Sequence, residues 1–184
     1  MTVLLVILAV VFIGGGIVGG MYNGLVKARN KRKSAWSDIQ THLKKRYDLI
    51  PNLVETVKGI TKHESETFEN VVKARNAAMG AQTVGDQSKT ENALSGTLKS
   101  LFALSESYPD LKANSNFLKL QEDLNGIEND LNMSRRYFNG ATQELNNKVE
   151  QFPTNILAGM FGFVSEEFFE LDNEDEAKNV KVSF

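Results

Sequence analysis

The sequence predicts an all-α protein: an N-terminal transmembrane helix, then an antiparallel bundle of about four long helices with a short C-terminal amphipathic helix. Three observations carry this reading. Residues 1–26, MTVLLVILAVVFIGGGIVGGMYNGLV, contain no charged side chain. Beyond them, apolar residues recur at steps of three and four, the spacing of one helical face. No stretch alternates apolar with polar residues for long enough to make a convincing half-buried strand.

The anchor comes first. A helix needs about 20 mostly apolar residues to cross a bilayer, and residues 2–21 supply them. A cleaved signal peptide would carry a positive leading region and a small-residue site such as A-x-A. Here the α-amine is the sole positive group ahead of the run, and no A-x-A follows it, so an uncleaved span over 1–26 is expected. Lys27, Arg29, Lys31, Arg32 and Lys33 lie just past the span and no basic residue precedes it. The positive-inside rule then places the rest of the chain on the cytoplasmic side of the cell membrane, as a single-pass protein. The same cluster stands at headgroup level, where each Lys or Arg is attracted to anionic lipid by about 1 kcal/mol. Membrane lipid is therefore an expected partner. Gly16, Gly20 and Gly24 recur every four residues, and Gly15 with Gly19 repeats the spacing. Small residues so spaced let two helices approach closely in lipid. Glycine is also common in membrane helices, so self-association and plain abundance stand as equal readings of that face.

The stripe of the first bundle helix runs through Ala28, Ala35, Trp36, Ile39, Leu43, Tyr47, Ile50, Leu53, Val54, Val57 and Ile60. Pro51 falls inside it. An interior proline removes one hydrogen bond and crowds the carbonyl four residues back, at about 3 kcal/mol. The apolar register continues unchanged on both sides, which favours a kinked helix over one that stops near Asp48 and restarts at Pro51. The freed Tyr47 carbonyl then needs water or a polar partner, from Asn52, Glu55 or a facing helix. Phe68, Val71, Val72, Ala78 and Met79 make a second, shorter helix, and Gly80, Gly85 and Asp86 mark a loop. Leu94, Leu98, Leu101, Phe102 and Ser105 make a third, stopped at Tyr108-Pro109-Asp110. Phe117, Leu120, Leu124, Ile127, Leu131, Phe138, Ala141, Leu145 and Val149 make a fourth, ended by Pro153. Such stripes suffice for one bundle core.

Two surfaces invite a role. Asp48, Asn52 and Glu55 line a polar strip beside the first stripe, read as a seam that holds kinked helices in register or as a face for a partner. Ile156, Leu157, Met160, Phe161, Val164 and Phe168 form an apolar stripe rich in aromatics. Membrane-surface helices favour Lys and Arg, and none occurs between Val149 and Ala177. Packing across the end of the bundle, or a subunit contact, is the expectation for Ile156, Leu157, Met160, Phe161 and Phe168.

Composition excludes several chemistries. With no cysteine there is no disulfide, thiolate nucleophile or zinc–thiolate site. A net charge of −2 gives no electrostatic case for nucleic acid. His63-Glu64 begins like H-E-x-x-H, but Thr67 stands where the second histidine belongs. Ile39 before His42 and Ile60 before His63 rule out the Glu-x-x-His pairs of a di-iron bundle. Neither a G-x-S-x-G elbow nor a phosphate loop is present. No enzyme activity, cofactor or metal is expected. The acidic run from Glu166 to Glu176 reads as a solvated tail, or as a partner for the basic cluster of a neighbouring copy.

Several motifs, in order, resemble the LemA family of bacterial membrane proteins: YNGLVKARN at 22–30, AWSDI at 35–39, RYDLIPNLVETVKG at 46–59 with His63-Glu64 after it, LFALSESYPDLKANSNFLKLQEDL at 101–124, and VEQFPTNILAGMFGF at 149–163. Together they span most of the chain. The resemblance implies an N-terminal membrane helix and an antiparallel helical bundle, and it implies no established enzymatic activity or catalytic residue. One departure stands out. Where the family tends to carry Arg after Glu128-Asn129, this chain has Asp130, so any pairing made by that Arg is rewired here, with Arg135 and Arg136 as candidates.

The expected organisation is a transmembrane anchor over 1–26, a LemA-like bundle over 27–170 and an acidic flexible tail over 171–184. The expected function is a membrane-anchored scaffold that self-associates as a homo-oligomer and organises the membrane or membrane-bound partners. An adaptor presenting a bundle surface to a membrane protease or signalling protein is the alternative.

Overall fold

A computed structural model describes residues 1–61 and 64–170. The regular structure of the described residues is helical, with no strand among them: α1 is Thr2–Lys58, α2 Ser65–Met79, α3 Val84–Leu104, α4 Pro109–Lys112, α5 Ser115–Glu150 and α6 Thr154–Met160. His63 and the 171–184 tail lie outside the described residues, as do the acidic residues from Asp172 onward.

Local chemistry sets the boundaries. Thr83 caps α3, its Oγ1 accepting from the Asp86 amide at 3.0 Å, so Gly85 and Asp86 lie in the first turn of that helix and the loop is shorter than the glycine spacing suggests. Asn114 caps α5, its Oδ1 accepting from the amides of Asn116 and Phe117, each at 3.0 Å. All three bonds satisfy amides that a helix start leaves without intrahelical partners. Pro109 opens α4, where its missing N–H costs nothing.

The chain divides into two compact units, one of Met1–Asp38 with Ser134–Glu167, the other of Ile39–Met133 with residues 168–170. In the first, Leu25 and Ala28 of α1, Leu145 of α5, Leu157 and Ala158 of α6, and Phe163 form one buried cluster. In the second, α1 contributes buried Ile39, Leu43, Ile50, Leu53, Val54 and Val57. The other buried apolar groups of this unit include Phe68 and Val71 of α2, Leu94, Leu98 and Leu101 of α3, and Phe117, Leu124 and Leu131 of α5. α2 and α3 pack against each other.

α1 runs without interruption through Pro51. The Tyr47 carbonyl, which Pro51 leaves without its amide donor, accepts instead from Arg75 Nε of α2 at 2.8 Å. A donor from a facing helix thus fills the role, while Asn52 and Glu55 are exposed.

Candidate membrane-interface site

Among the described residues α1 alone is long and apolar enough to cross a membrane, and its most apolar window is wholly unburied. Val3, Leu4, Ile7, Val11 and Phe12 are more than half exposed, whereas Leu25 is completely buried in the same helix. α1 therefore passes from an uncovered apolar stretch into a packed core with no linker between them.

Met21 and Tyr22 stand at that transition, partly buried against the Leu25 cluster. The Tyr22 ring lies 4.7 Å from that of Phe161 and 6.2 Å, edge-on, from that of Phe163, separations at which aromatic pairs attract. Gly162 makes both contacts possible. It adopts φ +70°, a conformation only glycine enters without a Cβ penalty, and the Phe163 amide then reaches back to the Ala158 carbonyl at 2.9 Å. This glycine-terminated helix end turns Phe163 into the core and leaves Met160 and Phe161 outside. The apolar stripe is therefore not one helix face. Leu157 is buried, while Phe152, Ile156, Met160, Phe161 and Val164 are 80, 55, 73, 53 and 66% exposed. Phe168, half exposed, belongs to the second unit.

The basic cluster divides by environment. Lys27 and Lys33 are exposed. The Arg29 guanidinium sits 4.8 Å over the Phe163 ring, a favourable cation–π geometry. Lys31 pairs with Glu144 of α5 at 2.7 Å. That bond raises the lysine pKa and lowers the carboxylate's, but both groups are solvated and the pair adds little to stability. Arg32 turns inward: it lies 4.8 Å over Phe138, donates to Thr142 Oγ1 at 3.0 Å and to the Glu167 carbonyl at 3.1 Å, and pairs with Glu166 at 3.1 Å. Burial pulls its pKa below the usual arginine value, against the opposing pull of Glu166 and Glu167. Of the five, Arg32 is thus a clamp on the C-terminal segment and not a headgroup ligand. Asn146 completes the clamp, donating to the Glu166 carbonyl at 2.9 Å and accepting from its amide at 2.8 Å. Glu166 is therefore fixed within its own chain, a correction to the expectation of a solvated tail from that residue on.

On the uncovered part of α1, a Cβ added at Gly16 or Gly20 would meet nothing within 4 Å, and one at Gly24 would meet only Lys148 Nζ at 3.9 Å. No packing among the described residues requires glycine at these positions.

The second unit holds a buried polar network absent from the expectations. Arg46, 4% exposed, pairs with fully buried Glu91 at 2.8 Å and with Glu128 at 3.1 Å, and donates to Ser95 Oγ at 2.8 Å. Tyr47 donates its phenolic proton to Glu91. Gln87 Nε2 donates to Tyr47 Oη at 2.9 Å, to Glu91 at 3.2 Å and to the Ala78 carbonyl at 3.1 Å. Burial first, and the Glu91 charge second, drive the Tyr47 pKa far above the ordinary tyrosine value. The phenol keeps its proton and Glu91 is saturated with donors, so the network is built to lock helices together. Asp48, Asn52 and Glu55 are exposed and take no part in it; Asp48 pairs with Lys44 at 2.8 Å.

The network left a trace in the sequence. Arg46 sits in the register Leu43–Arg46–Ile50–Leu53, and Gln87 and Glu91 extend the register Leu94–Leu98–Leu101 backwards. Polar residues at core spacing on two helices were the readable sign. The Asp130 carboxylate lies 3.7 Å from His42 Nδ1, so His42 is its neighbour across the helices. Among the described residues no three His, Asp or Glu side chains converge as metal ligands would.

The LemA family model matches residues 35–184. Protein LemA of Metamycoplasma hominis is 26% identical over 143 residues, covering 76% of this chain. The chain spans 64% of that protein's length.

Proposed function

The chain belongs to the LemA family, and from that premise we propose that it is a non-enzymatic, membrane-anchored scaffold that self-associates and organises the bilayer or proteins within it. The observation that carries the reading is the unbroken passage of α1 from its uncovered apolar run to Leu25 and Ala28 in a packed core. An enzyme tethered for convenience needs only a flexible linker; a helix shared by span and core suits a part whose orientation to the membrane matters. The saturated Arg46–Glu91–Tyr47 network supports the same reading, since it favours rigidity over reactivity. Gly16 and Gly20 offer a face for a second copy, because glycine there serves no contact among the described residues. The basic residues past the span favour a cytoplasmic bundle.

Light scattering on the intact protein in mild detergent tests this. A defined oligomer that Gly16→Leu with Gly20→Leu reduces to smaller species is the expected result. A monomer at micromolar concentration would overturn the scaffold and favour an adaptor with a single membrane-protein partner.

A further inference from the structure

The segment between Glu150 and Glu166 carries no charge of either sign, yet five of its apolar residues are more than half exposed: Phe152, Ile156, Met160, Phe161 and Val164. Large apolar groups gathered on one short segment call for a partner. The partner is constrained by position. The apolar run of α1 needs residues 2–21 to cross about 30 Å of hydrocarbon, which puts Tyr22 at the membrane–water boundary, where tyrosine is enriched. Tyr22 touches Phe161 at 4.7 Å, and the Gly162 turn with its Phe163-to-Ala158 hydrogen bond fixes Phe161 in that place. The exposed groups around α6 are therefore held at the depth of the bilayer interface by the first unit's own packing.

We propose that the segment from Phe152 to Val164 is a second membrane contact, immersing Ile156, Met160 and Phe161 in the interfacial layer of the same bilayer that α1 crosses. The inference rests on the anchor reading and adds to it a lipid-binding surface at α6. Lack of charge is what this depth demands, because a Lys, Asp or Glu there would have to be desolvated. The cations that accompany a membrane-surface helix are supplied in this case by α1, where Lys27 is exposed and Arg29 stands over Phe163. Their absence from the segment itself therefore does not count against a membrane role. The contact gives the first unit two attachments, a span and a shallow float beside it, and so resists rotation about the α1 axis.

The test uses the full chain in vesicles of phosphatidylcholine with phosphatidylglycerol. Trp36→Phe retains an aromatic ring against Phe138, 5.3 Å away, and removes the sole tryptophan. Into that background go single reporters: Met160→Trp and, as an independent second, Ile156→Trp, with Phe12→Trp marking the span. The expected result is a blue-shifted Met160→Trp and Ile156→Trp emission, lost to lipids brominated near the headgroup end of their chains and insensitive to iodide. Phe12→Trp should lose emission to lipids brominated near the chain ends. Red-shifted, iodide-quenched reporters at 156 and 160 beside a bilayer-quenched Phe12→Trp would overturn the second contact and leave the anchor standing. Reporters shielded from both quenchers would assign the surface to a protein partner, a second copy included, and would also overturn it. A Phe12→Trp untouched by brominated lipid would remove the anchor reading, and the inference with it.

Discussion

Arg75 Nε donates to the Tyr47 carbonyl at 2.8 Å, filling the gap that Pro51 opens in the hydrogen-bond ladder of α1. Arg75→Met should destabilise the fold by about 1–3 kcal/mol, the cost of leaving a partly buried carbonyl unpaired. The diagnostic is a double-mutant cycle. Pro51→Ala supplies a backbone N–H to that carbonyl and closes the ladder, so Arg75→Met should cost much less in that background. Thermal unfolding followed by helical circular dichroism checks both, and equal costs in the two backgrounds would show that Arg75 acts elsewhere.

Glu91 accepts from Arg46, Tyr47 and Gln87 in a site with no solvent exposure. Glu91→Leu leaves buried Arg46 paired with the partly exposed Glu128 but without its fully buried carboxylate, and should cost about 3 kcal/mol, the low end for breaking a buried ion pair. Adding Arg46→Met should return part of that loss, because the under-compensated buried charge is then removed and Glu128, partly exposed, can be solvated. Melting temperatures of the two variants decide it; a double variant worse than Glu91→Leu would contradict the account.

The Tyr47 phenol, held protonated by burial and by Glu91, makes stability fall at high pH. In the unfolded chain tyrosine loses its proton near pH 10, while the folded protein keeps Tyr47 protonated above that. The stability from this group is therefore whole below about pH 10 and declines above it by about 1.4 kcal/mol per pH unit. Urea midpoints from pH 9 to pH 11 should show a shallower decline for Tyr47→Phe than for the parent. Identical slopes would exclude Tyr47 as the source.

Gly162 at φ +70° turns the chain so that Phe163 enters the core. Gly162→Ala should lower stability by about 1–2 kcal/mol, whereas Gly159→Ala, at a helical position where a Cβ meets nothing within 4 Å, should be neutral or slightly stabilising. Paired melts check the contrast.

The helices were legible because burial on one face imposes a period, and Leu43, Ile50, Leu53 and Val57 display it on both sides of Pro51. That continuity also carried the choice of an unbroken α1. The partner of the Tyr47 carbonyl was not legible, since Arg75 is brought there by the packing of α2 and no local rule names it. The buried network was hidden for a related reason. A search for apolar periodicity passes over Arg46 and Glu91, which occupy core register as charges and become tolerable only once they meet across 45 residues. The beginning of α3 carried its own signal, Thr83-x-x-Asp86, a cap pattern outweighed by Gly85. At α6 the alternation of Leu157 inward and Ile156, Met160 and Phe161 outward turns on Gly162, whose positive φ the spacing of apolar residues does not announce.

Residues 19–25 keep α1 helical between its uncovered run and the buried Leu25. Tilt of the run and orientation of the first unit's core are therefore a single variable. In a bilayer thinner than the apolar run, hydrophobic mismatch is relieved by leaning the helix, and the core must lean with it, carrying Phe161 towards or away from the lipid surface. If α1 crosses a bilayer as proposed, the local thickness of that membrane would set an angle of the folded unit, with no moving part inside the protein.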